Sequence, residues 1–108
     1  MSFSVIPSGK FKKEAKRLIK KFSSLKEELL ELSVLLSEQP EIGTPLGNDT
    51  YKIRIAIRSK SKGKSGGGRV ITYVVNEHKE VYLLTIYDKS EFDNIGDKIL
   101  KAIIESLV

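Results

Sequence analysis

The spacing of apolar residues changes along the chain, and each change marks an element. Phe3-Ser4-Val5-Ile6 reads as a short strand closed by Pro7. Ser8 or Gly9 then opens a helix. Its apolar positions Phe11, Ala15, Leu18, Ile19 and Phe22 recur at helical spacing, and lysines with Arg17 cover the remaining face. Ser23-Ser24 interrupts the stripe. Ser24 and Glu27 have the spacing of a capping box. Leu25, Leu29, Leu32 and Leu36, widened by Leu30 and Leu35, form a second helix that Pro40 ends. The tight Ser-Ser link predicts an antiparallel helical hairpin. Residues 40–50 have the composition of a loop.

From Tyr51 the period is two. Tyr51, Ile53, Ile55 and Ile57 fall on the core side of a predicted strand, and Lys52, Arg54, Ala56 and Arg58 on the other. A polar segment covers 59–68. A second strand is predicted over about 69–75, a turn at 76–79, and a third strand over about 80–87, apolar enough to lie inside the sheet. Ser90 is the expected N-cap of a last helix, with Phe92, Ile95, Ile99, Ile103 and Leu107 as its stripe and Leu100 and Ile104 beside it. The order β-α-α-β-β-β-α predicts an α+β fold. A helical hairpin and a C-terminal helix pack on a small, mainly antiparallel sheet, in a single domain over 1–108.

Composition narrows the function. With 108 residues, 40% of them apolar, the chain supports one core. No apolar run reaches the roughly 18 residues a membrane-spanning helix needs. The first 13 residues hold no apolar stretch of the signal-peptide kind. Cysteine is absent and His78 is the one histidine, so a thiolate or multi-histidine metal site is excluded. The carboxylates show no metal-binding spacing. A cytoplasmic, metal-free, cofactor-free protein is expected.

The net charge of +5 conceals a block pattern: +6 over 1–22, −5 over 23–50, +7 over 51–69 and −3 over 70–108. Two basic blocks make a polyanion such as nucleic acid a candidate partner. The second block carries Lys52, Arg54, Arg58, Lys60, Lys62, Lys64 and Arg69 with no acid among them. Three co-facial cations, Lys52, Arg54 and Arg58, suit a phosphate backbone, with a solvated outer sheet face as the competing reading. Gly63-Lys64-Ser65 is not a P-loop, because Arg58 stands where the first glycine belongs and a strand follows. That segment is a flexible loop or a cationic flap, with Lys60, Lys62 and Lys64 as phosphate-binding candidates. Arg69 is an ion-pair partner or an anion clamp. Lys89 is a surface residue or a site residue. Tyr73, Tyr82 and Tyr87 are core aromatics unless exposed for base stacking or proton transfer. His78 reads as an exposed turn residue. The lysine-rich face of the first helix is a solvated face or an extension of the phosphate-binding surface.

Three stretches, Tyr51-Lys52-Ile53-Arg54, Gly63 to Ile71 and Val81 to Glu91, together resemble the RelE/ParE superfamily of type II toxin–antitoxin toxins. Within it, Gly63-Lys64-Ser65-Gly66-Gly67 and Tyr87-Asp88-Lys89-Ser90-Glu91 are similar to the HigB-like RelE branch. The resemblance implies a ribosome-dependent mRNA endonuclease that inhibits translation. It cuts the A-site codon without metal, by attack of the 2′-OH on the adjacent phosphorus. It implies catalytic roles for Lys52, Arg54, Arg69 and Lys89. The family's C-terminal tyrosine has no counterpart in 92–95, and Tyr87 is the possible substitute. That departure keeps two alternatives open: a non-nucleolytic ParE-like toxin acting on DNA gyrase, and a decayed, non-toxic relative. The toxin readings imply a cognate antitoxin that covers the basic face, and residues 23–50, at −5, are expected to face solvent or that partner.

Overall fold

The computed structural model describes residues 2–60, 67–91 and 94–107. Its strands are β1 (Ser4–Pro7), β2 (Thr44–Gly47), β3 (Thr50–Ile55), β4 (Gly68–Val75) and β5 (Glu80–Asp88). Its helices are α1 (Gly9–Lys21), α2 (Leu25–Glu38) and α3 (Asp97–Glu105). The strands form one sheet in the order β1-β5-β4-β3-β2, with β1 parallel to β5 and the other neighbours antiparallel. The fold is α+β, and β5 is interior as its apolar sequence predicts.

The Ser8 hydroxyl starts α1 and ties it to the sheet. Its Oγ accepts from the Phe11 N–H at 3.0 Å and donates to the Leu84 carbonyl at 2.8 Å. Phe11, Ala15 and Leu18 of α1 and Leu25, Leu32 and Leu36 of α2 pack on one sheet face, over Ile53, Ile55, Val70, Val81, Leu83 and Ile86. Leu100 and Ile103 of α3 pack on the other, against Ile71, Leu84 and Tyr87. Burying each such side chain stabilises the fold by about 1.5–3 kcal/mol. Two cores on opposite sheet faces follow from the two-residue alternation of β3, β4 and β5.

Four expectations are corrected. Residues 40–50 contain β2, an edge strand where Pro45 is tolerated because its outer side needs no ladder donor. The link to β3 is the pair Asn48-Asp49 with φ of 52° and 62°, the double left-handed turn that closes a two-residue hairpin. Next, the strand predicted to reach Arg58 ends at Ile55, and Arg58–Lys60 form a 3-10 turn. Arg58 therefore does not continue the Lys52–Arg54 row. Third, Ser24 makes no capping bond with its side chain; its hydroxyl donates to Glu28 Oε1 at 3.0 Å instead. Finally, α3 starts at Asp97 with Gly96 as N-cap, not at Ser90. The Ser90 N–H is taken by Asp88 Oδ1 at 3.1 Å, which turns the chain before a helix can begin. Leu100 and Ile103 carry the buried stripe while Ile99 is half exposed. Phe92 lies outside the described residues.

Candidate functional site

Strand register assembles the site. Arg54 of β3 lies opposite Arg69 of β4, and Arg69 lies opposite Tyr87 of β5. Because alternate residues share a face, these three side chains form one row across the α3 side of the sheet, spanning about 10 Å between the outer backbones. Lys52, opposite Ile71, belongs to the next row of the same face. Arg54 is exposed and makes no ion pair among the described residues. Arg69 is buried, with Nη1 donating to the Gly68 carbonyl at 3.0 Å. Like charges directly opposite each other in a sheet repel, and an anion placed between them relieves that cost.

Beside the row is a cleft of about 350 Å³ lined by Lys52, Ile71, Tyr87 and the 94–97 segment. The Lys52 ammonium donates to Asn94 Oδ1 across it at 3.1 Å. Asn94 has no sequence signal; only the return of the chain toward α3 brings it there. Tyr87 is fully buried in the α3-side core, as the core reading expects, and is not exposed for base stacking. Tyr73 and Tyr82 stack at 6.4 Å farther along the same face. The Tyr82 hydroxyl donates to Glu80 Oε1, which, with burial, pushes its pKa up.

After the glycine-rich segment the chain re-enters the sheet beside the row, through Gly67. Gly67 presses on β3: a Cβ there would stand 2.1 Å from the Ile55 carbonyl oxygen. Its own carbonyl accepts from the Lys89 N–H at 3.0 Å. Lys89 is thereby fixed just beyond Tyr87. Lys62 and Lys64 lie outside the described residues.

Lys60 and Arg58 are placed elsewhere. Lys60 is nearly buried, 2.5 Å from Asp88 Oδ1 and over the Phe22 ring. Burial pushes the Asp88 carboxyl up, but the bonds from Lys60 and Ser90 outweigh it, so Asp88 titrates below the ordinary carboxylate value. Arg58 reaches Glu31 at 3.4 Å and Glu27 and Glu28 at 3.7 Å on α2. Its backbone N–H donates to Glu28 Oε2 at 2.7 Å. Arg17 clamps Glu91 at 2.8 and 3.0 Å and also bonds Glu14, which holds Glu91 low. Glu14 apart, these acids were invisible as site architecture in sequence because 27 to 74 positions separate the partners.

A family model described as the RelE toxin of the RelE/RelB toxin–antitoxin system matches residues 9–106. The chain belongs to the RelE toxin family. Solved RelE structures share the fold. An Escherichia coli RelE double-arginine mutant in the free state is 19% identical, with both chains fully covered and a TM-score of 0.66. Isolated Escherichia coli RelE is 20% identical over the full length of both chains, with a TM-score of 0.61. The Mycobacterium tuberculosis RelBE2 toxin–antitoxin complex contains a chain that is 19% identical, with 82% of this chain and 99% of that one covered and a TM-score of 0.61. As a RelE-family member the chain is a toxin of a toxin–antitoxin module.

Proposed function

We propose that this RelE-family toxin, nearest the HigB-like branch, is a ribosome-dependent endoribonuclease of the cytoplasm that cuts mRNA without a metal ion. The observation that carries the reading is the Arg54–Arg69 cross-strand pair, flanked by Tyr87 and Lys52 on the same face. In the reaction the ribose 2′-OH attacks the adjacent phosphorus. Its proton leaves to a base, and the 5′-oxygen departs with a proton from an acid. The products are a 2′,3′-cyclic phosphate and a 5′-OH. Negative charge builds on the non-bridging oxygens, where Arg54 and Arg69 stabilise it. Lys52, in the next row of the same face, is the group nearest the arginine pair that can exchange a proton, and the buried Tyr87 packs beneath it. Lys89, tethered to Gly67, adds a third cation beyond Tyr87. Lys62 and Lys64 extend the backbone contacts, and an antitoxin silences the toxin.

The test is end-mapping of mRNA on programmed ribosomes. Cleavage within the A-site codon, leaving a 2′,3′-cyclic phosphate, is expected. Intact mRNA with DNA damage in expressing cells would instead establish the gyrase-directed reading.

A further inference from the structure

The chain leaves β5 through a turn, Asp88 to Glu91, that is fastened from three directions. Its own bonds come first. The Glu91 N–H donates to the Asp88 carbonyl at 2.9 Å, and the Ser90 N–H to Asp88 Oδ1 at 3.1 Å. The Asp88 N–H donates in return to Glu91 Oε1 at 3.2 Å. The second fastening is Lys60 on the Asp88 carboxylate at 2.5 Å, with the Gly67 carbonyl accepting from the Lys89 N–H at 3.0 Å. The third comes from α1. Arg17 grips both oxygens of Glu91, Nη1 on Oε2 at 2.8 Å and Nη2 on Oε1 at 3.0 Å. Glu91 Oε1 therefore meets the guanidinium and the Asp88 N–H at a single atom.

Helix α1 is a firm base for this grip. Ser8 bonds its first turn to the Leu84 carbonyl, and Leu18, next to Arg17, is fully buried. A two-bond arginine–carboxylate fork fixes direction as well as distance. Its contribution to stability is small, because Arg17 is 45% and Glu91 28% exposed and solvent screens the pair. Its contribution to position is larger. The residue enclosed by the turn is Lys89, the third cation of the proposed site, and a misplacement of about 1 Å can cost on the order of 100-fold in rate. We propose that Arg17 is a positioning residue: by fixing Glu91, and with it the Asp88–Glu91 turn, it holds Lys89 for the phosphate under attack beside Arg54 and Arg69. This role rests on the ribonuclease reading of Lys89, whereas the grip on the turn does not.

The experiment uses the full chain and two readouts. One is single-turnover cleavage on programmed ribosomes, giving a maximal rate and a half-saturating concentration. The other is amide hydrogen exchange over 88–91 in the free chain. Arg17→Ala and Glu91→Gln should each lower the maximal rate about 10-fold, leaving half-saturation and the unfolding midpoint close to wild type. The charge exchange Arg17→Glu with Glu91→Arg should recover most of the rate. In a Lys89→Ala background, itself slower, Arg17→Ala should cost nothing further. The Asp88 and Ser90 N–H groups should exchange at least about 10-fold faster in Arg17→Ala. A wild-type maximal rate in Arg17→Ala overturns the proposal, as does unchanged exchange at 88–91. Raised half-saturation at an undiminished rate also overturns it, by making Arg17 a contact to ribosomal phosphate. Losses that add in the Arg17→Ala, Lys89→Ala double variant overturn the route through Lys89. A wild-type chain that cuts no mRNA sinks the ribonuclease reading and this role with it, whatever the exchange shows.

Discussion

Lys60 sits in the most basic stretch of the chain, yet its ammonium is buried on Asp88. A buried ion pair is stabilising chiefly in the sense that neither partner tolerates being left alone. Lys60→Met should therefore lower the unfolding free energy by about 3–5 kcal/mol, read by chemical denaturation. The pH dependence has a defined sign. Asp88 titrates below its ordinary 3.8 in the folded chain, so its contribution is fully present above that value and is lost as pH falls through the lower folded value. Asp88→Asn should be less stable than wild type at neutral pH, and the gap should narrow below about pH 4. A gap that is constant from pH 7 to pH 2 would contradict the assignment. Alternation alone gives Lys52 and Arg54 a shared face, and that part of the site was readable. Arg58 and Lys60 were not, because a 3-10 turn breaks the alternation and their acidic partners lie about 30 residues away.

Periodic elements were legible and irregular ones were not. α1 and α2 follow their apolar spacing because each buries one stripe, and β4 and β5 follow theirs because both of their faces are buried. β2 was hidden by Pro45 and Gly47, turn residues in most settings and permissible on a sheet edge. The late start of α3 was hidden because Asp88 and Glu91 close a turn that local spacing does not reveal. Two predictions belong to this scale. Thr72 of β4 is fully buried at a register shift, and its hydroxyl has no hydrogen-bond partner among the described residues. Thr72→Val keeps the shape and removes the unmet group, so thermal unfolding should show a gain of about 1 kcal/mol. Gly67→Ala should do the opposite. Its methyl group would collide with the Ile55 carbonyl and force β3 away from β4. A loss of about 1–3 kcal/mol, and weaker cleavage as Arg54 and Arg69 separate, is the expected outcome.

Across the whole molecule the sheet separates two surfaces. Arg54, Arg69, Lys52 and Tyr87 share the α3 face, and a lysine-rimmed apolar groove lies on the α1–α2 face. Phosphate contacts release counterions, so cleavage by the wild-type chain should fall steeply with added salt. In the proposed reaction the opposed arginines stabilise the phosphate under attack. Single-turnover cleavage on programmed ribosomes by Arg54→Ala and wild type, with thermal unfolding in parallel, tests this. A rate at least about 100-fold lower is expected. The unfolding midpoint should be unchanged or higher, because a like-charged cross-strand neighbour has gone. Wild-type cleavage by a folded Arg54→Ala would contradict the proposed role of the pair.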